Sequence, residues 1–185
     1  MPWIKIIDEK QADGELKKIY EDISKKRGKL SNIMRIHSLN PQAMKKHMEF
    51  YLSIMFNKSN LSREEREIIG VVVSSFNNCK YCINHHAEAL NFYWKDRKRI
   101  TMLLKDYKKA DLSKKDVTML DYVFILTKEP YKTRKKDIEK LRKVGFVDKD
   151  ILDINLITSY FNFVNRVAVG LGVEFSDEEV KGYKY

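Results

Sequence analysis

The chain has 185 residues, 43% of them hydrophobic and 34% charged, with only 7 Gly and 3 Pro, a composition that argues against disorder, collagen-like repeats and a turn-rich all-β fold and leaves one helical domain spanning 1–185 as the expectation. Lys and Arg number 36 against 26 acids, but most are Lys, and clusters such as Lys25-Lys26-Arg27 and Arg134-Lys135-Lys136 are scattered among acidic residues; solvated helix faces explain them better than a nucleic-acid surface. No apolar run approaches the roughly 18 residues of a membrane span, and Met1-Pro2-Trp3-Ile4-Lys5 lacks the basic and apolar regions of a signal peptide, so a cytoplasmic protein with neither nucleic acid nor membrane as partner is expected.

In chain order, Leu16, Ile19, Tyr20 and Ile23 form a helical stripe within Asp13 to Lys26. A second helix follows Asn40-Pro41, its buried side expected to carry Ala43, Met44, His47, Met48, Tyr51, Leu52 and Met55. Ser62 as N-cap and Glu65 three residues on make a capping box that opens a third helix reaching about Phe76. Asn77-Asn78 interrupts it, and helical spacing resumes from Cys79 to about Trp94. Further helices are expected over 97–106, 113–127, 133–144 and 148–170. Leu112-Ser113 repeats the opening at Leu61-Ser62, through either an internal duplication or a shared capping signal. In the last helix, Asn155, Ser159, Asn162 and Arg166 form one polar stripe, either a solvent face or the wall of a cavity or interface.

The only two cysteines stand three residues apart, as Cys79-Lys80-Tyr81-Cys82. A secreted disulfide scaffold carries more, spread along the chain; a close pair without an export signal is redox-active or metal-binding. Cys79, Cys82 and His86 fall at i, i+3 and i+7, on one face of a helix that starts near Asn78. A cysteine in a first turn sees the positive end of the helix dipole and unpaired N–H groups, both of which favour thiolate, and a neighbouring histidine can take the thiol proton. A straight continuation would hold Glu67 about 18 Å from Cys79. A reversal at Asn77-Asn78 instead sets Glu67 and His86 at nearly equal height across an antiparallel pair, where a carboxylate can orient an imidazole and share its proton.

Zinc is the main competitor, since Cys79, Cys82, His86 and either Glu67 or His85 supply the right donor types; one short helix, however, rarely surrounds a metal. The c-type haem signature needs histidine directly after the second cysteine, where Ile83 stands, and no strand pattern supports a thioredoxin-like setting. His85 points about 100° from His86 and is read as a packing or surface residue. His37 and His47 have no partner visible in sequence and are read as structural.

Glu67, eleven residues, Cys79-x-x-Cys82, three residues, His86 resembles the active-site signature of the alkylhydroperoxidase D and carboxymuconolactone decarboxylase superfamily. The run Leu61 to Glu67, the Cys79-x-Tyr81-Cys82 variant and Tyr160 to Arg166 followed by Leu171-Gly172-Val173 are similar to its peroxidase-related branch, and the likeness extends from about Ile4 to Phe175. The resemblance implies an all-α fold, homo-oligomeric assembly and a cofactor-free peroxidase with no metal. Peroxide would be its substrate and an external thiol or dithiol its reductant. By position it makes Cys82 the peroxide-attacking cysteine, Cys79 the resolving one, and His86 with Glu67 the proton relay. Characterised hydroperoxidases carry histidine just before the second cysteine, where this chain has Tyr81. A decarboxylase-like use of the same pocket and a non-catalytic, oxidant-sensing helical oligomer are the alternatives. Oligomerisation is expected also because Phe161, Phe163, Phe92, Tyr93 and Trp94 are many large apolar groups for a 185-residue monomer to cover.

Overall fold

The computed structural model describes residues 2–184. Among them the regular structure is entirely helical: α1 Gly14–Arg27, α2 Asn32–Arg35, α3 Pro41–Phe56, α4 Arg63–Phe76, α5 Lys80–Trp94, α6 Arg97–Lys105, α7 Lys114–Lys128, α8 Lys135–Lys143 and α9 Asp148–Gly170, with short 3-10 turns at Tyr107–Lys109 and Pro130–Lys132. No helix among these residues is long and apolar enough to cross a membrane. The expected spans hold to within one or two residues, and several of the starts carry a local cap. Asn40 accepts from Ala43 N–H ahead of Pro41, the Ser62–Glu65 box closes on both sides, and Ser113 accepts from Asp116 N–H. The four-residue α2 carries too little pattern to be seen in sequence. Ala43, expected on the buried face of α3, is exposed instead, one helical step outside the Met44, His47, Met48 and Met55 stripe.

Helix α4 is the centre of the packing, buried from Arg66 to Ser74 between α5, α7 and α9. Gly70 allows α9 its close approach: a Cβ there would lie 2.9 Å from the Phe161 ring and 3.3 Å from His86 Cγ. Between α4 and α5 the chain reverses. Asn78 takes the left-handed region at φ 53°, Cys79 N–H returns to Ser74 C=O at 3.0 Å, and the Asn77 amide donates to Asn162 and Asn165 on α9. Asn165 is itself buried and donates to Ser74 Oγ. The polar stripe of α9 is largely taken up by bonds within the chain. Asn155 bonds Tyr122, Asn162 bonds Thr127 and the Asn77 turn, and Arg166 folds back on Asn162, while Ser159 is exposed. Beyond α9 the chain turns back along the molecule; Lys184 N–H donates to Arg27 C=O, and the Arg27 guanidinium donates to Lys184 C=O. Phe161 is fully buried within the chain, and Trp94 donates to Glu64, whereas Phe163 stays 49% exposed.

Candidate active site

Cys79 caps α5, with its Sγ 3.4 Å from Cys82 N–H, and Cys79 and Cys82 are joined as a disulfide across a Cα separation of 5.3 Å. Both are buried, but they open in different directions. Cys82 lines a partly open cavity of about 80 Å³ bounded by α1, α2, α3, α5, α9 and Tyr183, whereas Cys79 borders a more open outer groove with Trp3, Asn78, Val169 and Glu174.

The reversal brings Glu67 and His86 together. His86 Nδ1 lies 2.7 Å from Glu67 Oε2, and the other carboxylate oxygen accepts from Arg63 at 2.6 Å. Glu67 has no exposed surface, so it is not the helix-surface charge its position alone suggests. Burial opposes its ionisation, but His86 and Arg63 outweigh that cost and hold its pKa below the ordinary glutamate value. Arg63 is in turn fixed by Met55 C=O and by the Phe56 ring beneath it. The carboxylate sits on Nδ1, the arrangement that in a neutral ring leaves Nε2 as the acceptor, and the Phe161 ring, 4.5 Å away between centroids, fixes the plane of His86.

His85 packs against the Tyr81 ring. It lines the same cavity as His86, and its Nε2 meets Glu179 Oε2 at 2.5 Å. Glu179 also accepts from Tyr81 O–H, Tyr183 O–H and Asn32 N–H, while Tyr81 in turn accepts from Ile33 N–H. These bonds lower the Glu179 pKa against the opposing effect of burial, and Tyr81, desolvated and beside that carboxylate, has its phenol pKa raised. Tyr81 therefore secures the C-terminal segment to the site. Nothing local in the sequence announces this, since Glu179 lies in a short acidic run like many surface segments. His37 and His47 also have partners, in each other and in Tyr160. For the zinc alternative, the two sulfurs bond each other and the two imidazoles engage different carboxylates; among the described residues no three His, Cys, Asp or Glu side chains are grouped as metal ligands.

An antiparallel helix pair that carries a Cys-x-x-Cys at one helix start and a carboxylate–imidazole pair across the seam defines an alkylhydroperoxidase-D-like helical protein. Residues 41–92, which hold all four residues of the signature, match the carboxymuconolactone decarboxylase family. The chain is similar to the structure of a peroxidase-related protein from Silicibacter sp. TM1040, at 32% identity over 97% of this chain and 94% of that one, TM-score 0.86. It is also similar to the alkylhydroperoxidase AhpD core of a peroxidase-related protein from Ralstonia eutropha JMP134, at 26% identity over 97% and 94% of the two chains, TM-score 0.87. Protein YdfG of Bacillus subtilis (strain 168) is 23% identical over 77% of this chain and 96% of its own length. This chain belongs to the alkylhydroperoxidase D and carboxymuconolactone decarboxylase superfamily.

Proposed function

We propose that this protein is a thiol peroxidase that reduces hydrogen peroxide or an organic hydroperoxide through a Cys79–Cys82 dithiol/disulfide cycle. The reading rests on one observation: the Cys82 side of the disulfide shares a cavity with an imidazole whose far nitrogen is bonded to a buried carboxylate. In the reduced state the Cys82 thiol passes its proton to His86 Nε2, and the imidazolium is stabilised by Glu67. The thiolate attacks the terminal oxygen of R–O–O–H. An S–O bond forms, the O–O bond breaks, and the departing alkoxide takes the proton back from His86, giving Cys82 sulfenic acid and R–OH. The Cys79 thiol condenses with the sulfenic acid, which releases water and forms the disulfide. A reductant thiolate then attacks Cys79 from the outer groove, Cys82 leaves as thiolate, and a second reductant thiol resolves the mixed disulfide. The thiols supply the electrons, so the cycle calls for no cofactor.

The peroxidase-related descriptions of the two similar structures support this reading, and so does the cysteine pair, which the superfamily's decarboxylases lack. The test is to reduce the protein, remove the reductant, and add one equivalent of an organic hydroperoxide. Loss of both thiols, a mass decrease of two hydrogens and release of equimolar alcohol are expected. Thiols that persist through this treatment would remove the peroxidase reading and leave the decarboxylase-like enzyme and the non-catalytic oligomer.

A further inference from the structure

Behind Tyr160 of the cavity wall runs a second chain of hydrogen bonds, which the peroxide cycle does not use. His47, buried on α3, has Nε2 2.7 Å from the Tyr160 hydroxyl and Nδ1 3.4 Å from His37 Nε2, and His37 Nδ1 lies 2.8 Å from the Ile33 carbonyl oxygen. The backbone carbonyl sets the direction of the whole chain. A carbonyl can only accept, so His37 Nδ1 carries a hydrogen. Burial lowers the pKa of both histidines, that of His47 to about 3, so both rings are neutral at neutral pH and His37 Nε2 is bare. A second bare nitrogen facing it would repel it, so His47 carries its hydrogen on Nδ1 and its Nε2 is an acceptor. Tyr160, whose phenol pKa is raised by burial, keeps its hydrogen and donates it to His47. No other bond from the Tyr160 hydroxyl is seen to any described residue, and Tyr160 is part of the cavity wall beside Tyr51, Met48 and Phe161.

We propose that Tyr160 is a substrate-positioning residue: with its own hydrogen directed into the protein, its oxygen offers the cavity acceptor capacity alone and selects ligands that bring an O–H, in the peroxidase cycle the terminal O–H of a hydroperoxide. The choice of hydroperoxide rests on the peroxidase reading; the preference for a hydrogen-bond donor does not. Accepting that bond orients the terminal oxygen without placing a competing proton on it. The reaction keeps its balance, since Tyr160 neither gains nor loses a proton.

The test uses the intact oxidised protein, whose sulfurs cannot react, with phenol and its methyl ether anisole as probes of similar shape but different donor content. The wild type is expected to bind phenol about tenfold or more tightly than anisole, the scale of one hydrogen bond made in a desolvated site. Tyr160→Phe should abolish that preference, and His47→Phe, which frees the phenolic hydrogen, should narrow or invert it. Nitrogen-15 NMR of the unaltered protein should show His47 protonated at Nδ1 and bare at Nε2. A phenol-to-anisole ratio that is flat in the wild type or unchanged in Tyr160→Phe, or a His47 hydrogen on Nε2, would overturn the assignment. A protein that fails to reduce peroxide yet keeps the donor preference would instead count against the peroxidase reading while leaving Tyr160 its role.

Discussion

His85 Nε2 lies 2.5 Å from Glu179 Oε2, so the imidazole next to His86 is held by a carboxylate 94 residues further along the chain. Glu179→Ala strands His85, Tyr81, Tyr183 and Asn32 N–H at once, and each buried polar group left unpaired costs about 1–3 kcal/mol. We expect trypsin to cleave at Lys181 sooner in this variant and amide exchange to rise over 174–184, with a lower melting temperature. Equal protection in both proteins would show that the segment is held by other contacts.

Glu67→Gln and His86→Ala should each slow peroxide reduction, by about 10² to 10⁴ if the pair supplies general-base catalysis. Because the residues are bonded at 2.7 Å and act as one unit, the double variant should be little slower than the slower single one. Single-turnover kinetics on the reduced proteins, with the pH dependence of Cys82 alkylation, measure this. Additive losses with unchanged alkylation profiles would make Glu67 purely structural.

His47 gives stability a defined acid dependence. Its folded pKa of about 3 lies below the ordinary histidine value near 6.5, so between those limits the unfolded chain binds the extra proton. Its contribution is complete above pH 6.5 and is lost progressively as pH falls toward 3, each tenfold difference in proton affinity between the folded and unfolded chains being equivalent to about 1.4 kcal/mol. His47→Gln removes that titration. Chemical denaturation across pH 4 to 7 should give a flatter curve for the variant than for the wild type. Parallel curves would show that His47 does not take up a proton on unfolding.

Gly70→Ala adds a methyl group 2.9 Å from the Phe161 ring and 3.3 Å from His86 Cγ. The gain in helix propensity, about 1 kcal/mol, is set against overpacking of about 1–3 kcal/mol. We expect a modest fall in melting temperature and a larger fall in peroxide turnover, because the ring that yields is the one that fixes His86. Turnover that tracks stability alone would contradict this.

Homo-oligomerisation is expected, although Phe161, one of the large apolar groups that suggest it, is covered within the chain. Among the groups that stay outside are Phe92, 57% exposed, Phe163, 49% exposed, and Phe50, 41% exposed, the last two packed against Tyr160. Light scattering at micromolar concentration should give a particle heavier than the 22.0 kDa chain, and Phe163→Ser should weaken it. A monomer in the unaltered protein refutes the expectation.

By itself the sequence determined what depends on near neighbours in the chain. Helix starts were legible because Asn40, Ser62 and Ser113 cap groups three residues away, and Cys79, Cys82 and His86 share a face because helical geometry alone puts them there. Glu67 could be placed opposite His86 because the reversal at Asn77-Asn78 is short and the two helix arms are nearly equal in length. Only the tertiary structure decided which distant polar groups meet. Glu179 reaches His85, His47 reaches Tyr160 from 113 residues away, and Asn165 ties the Asn77 turn to α9. None of these carries a periodic or capping signal. Each pairing exists because packing takes the partners out of water and brings other protein groups within reach to satisfy them, a condition set by the assembled helices and by no local run of residues.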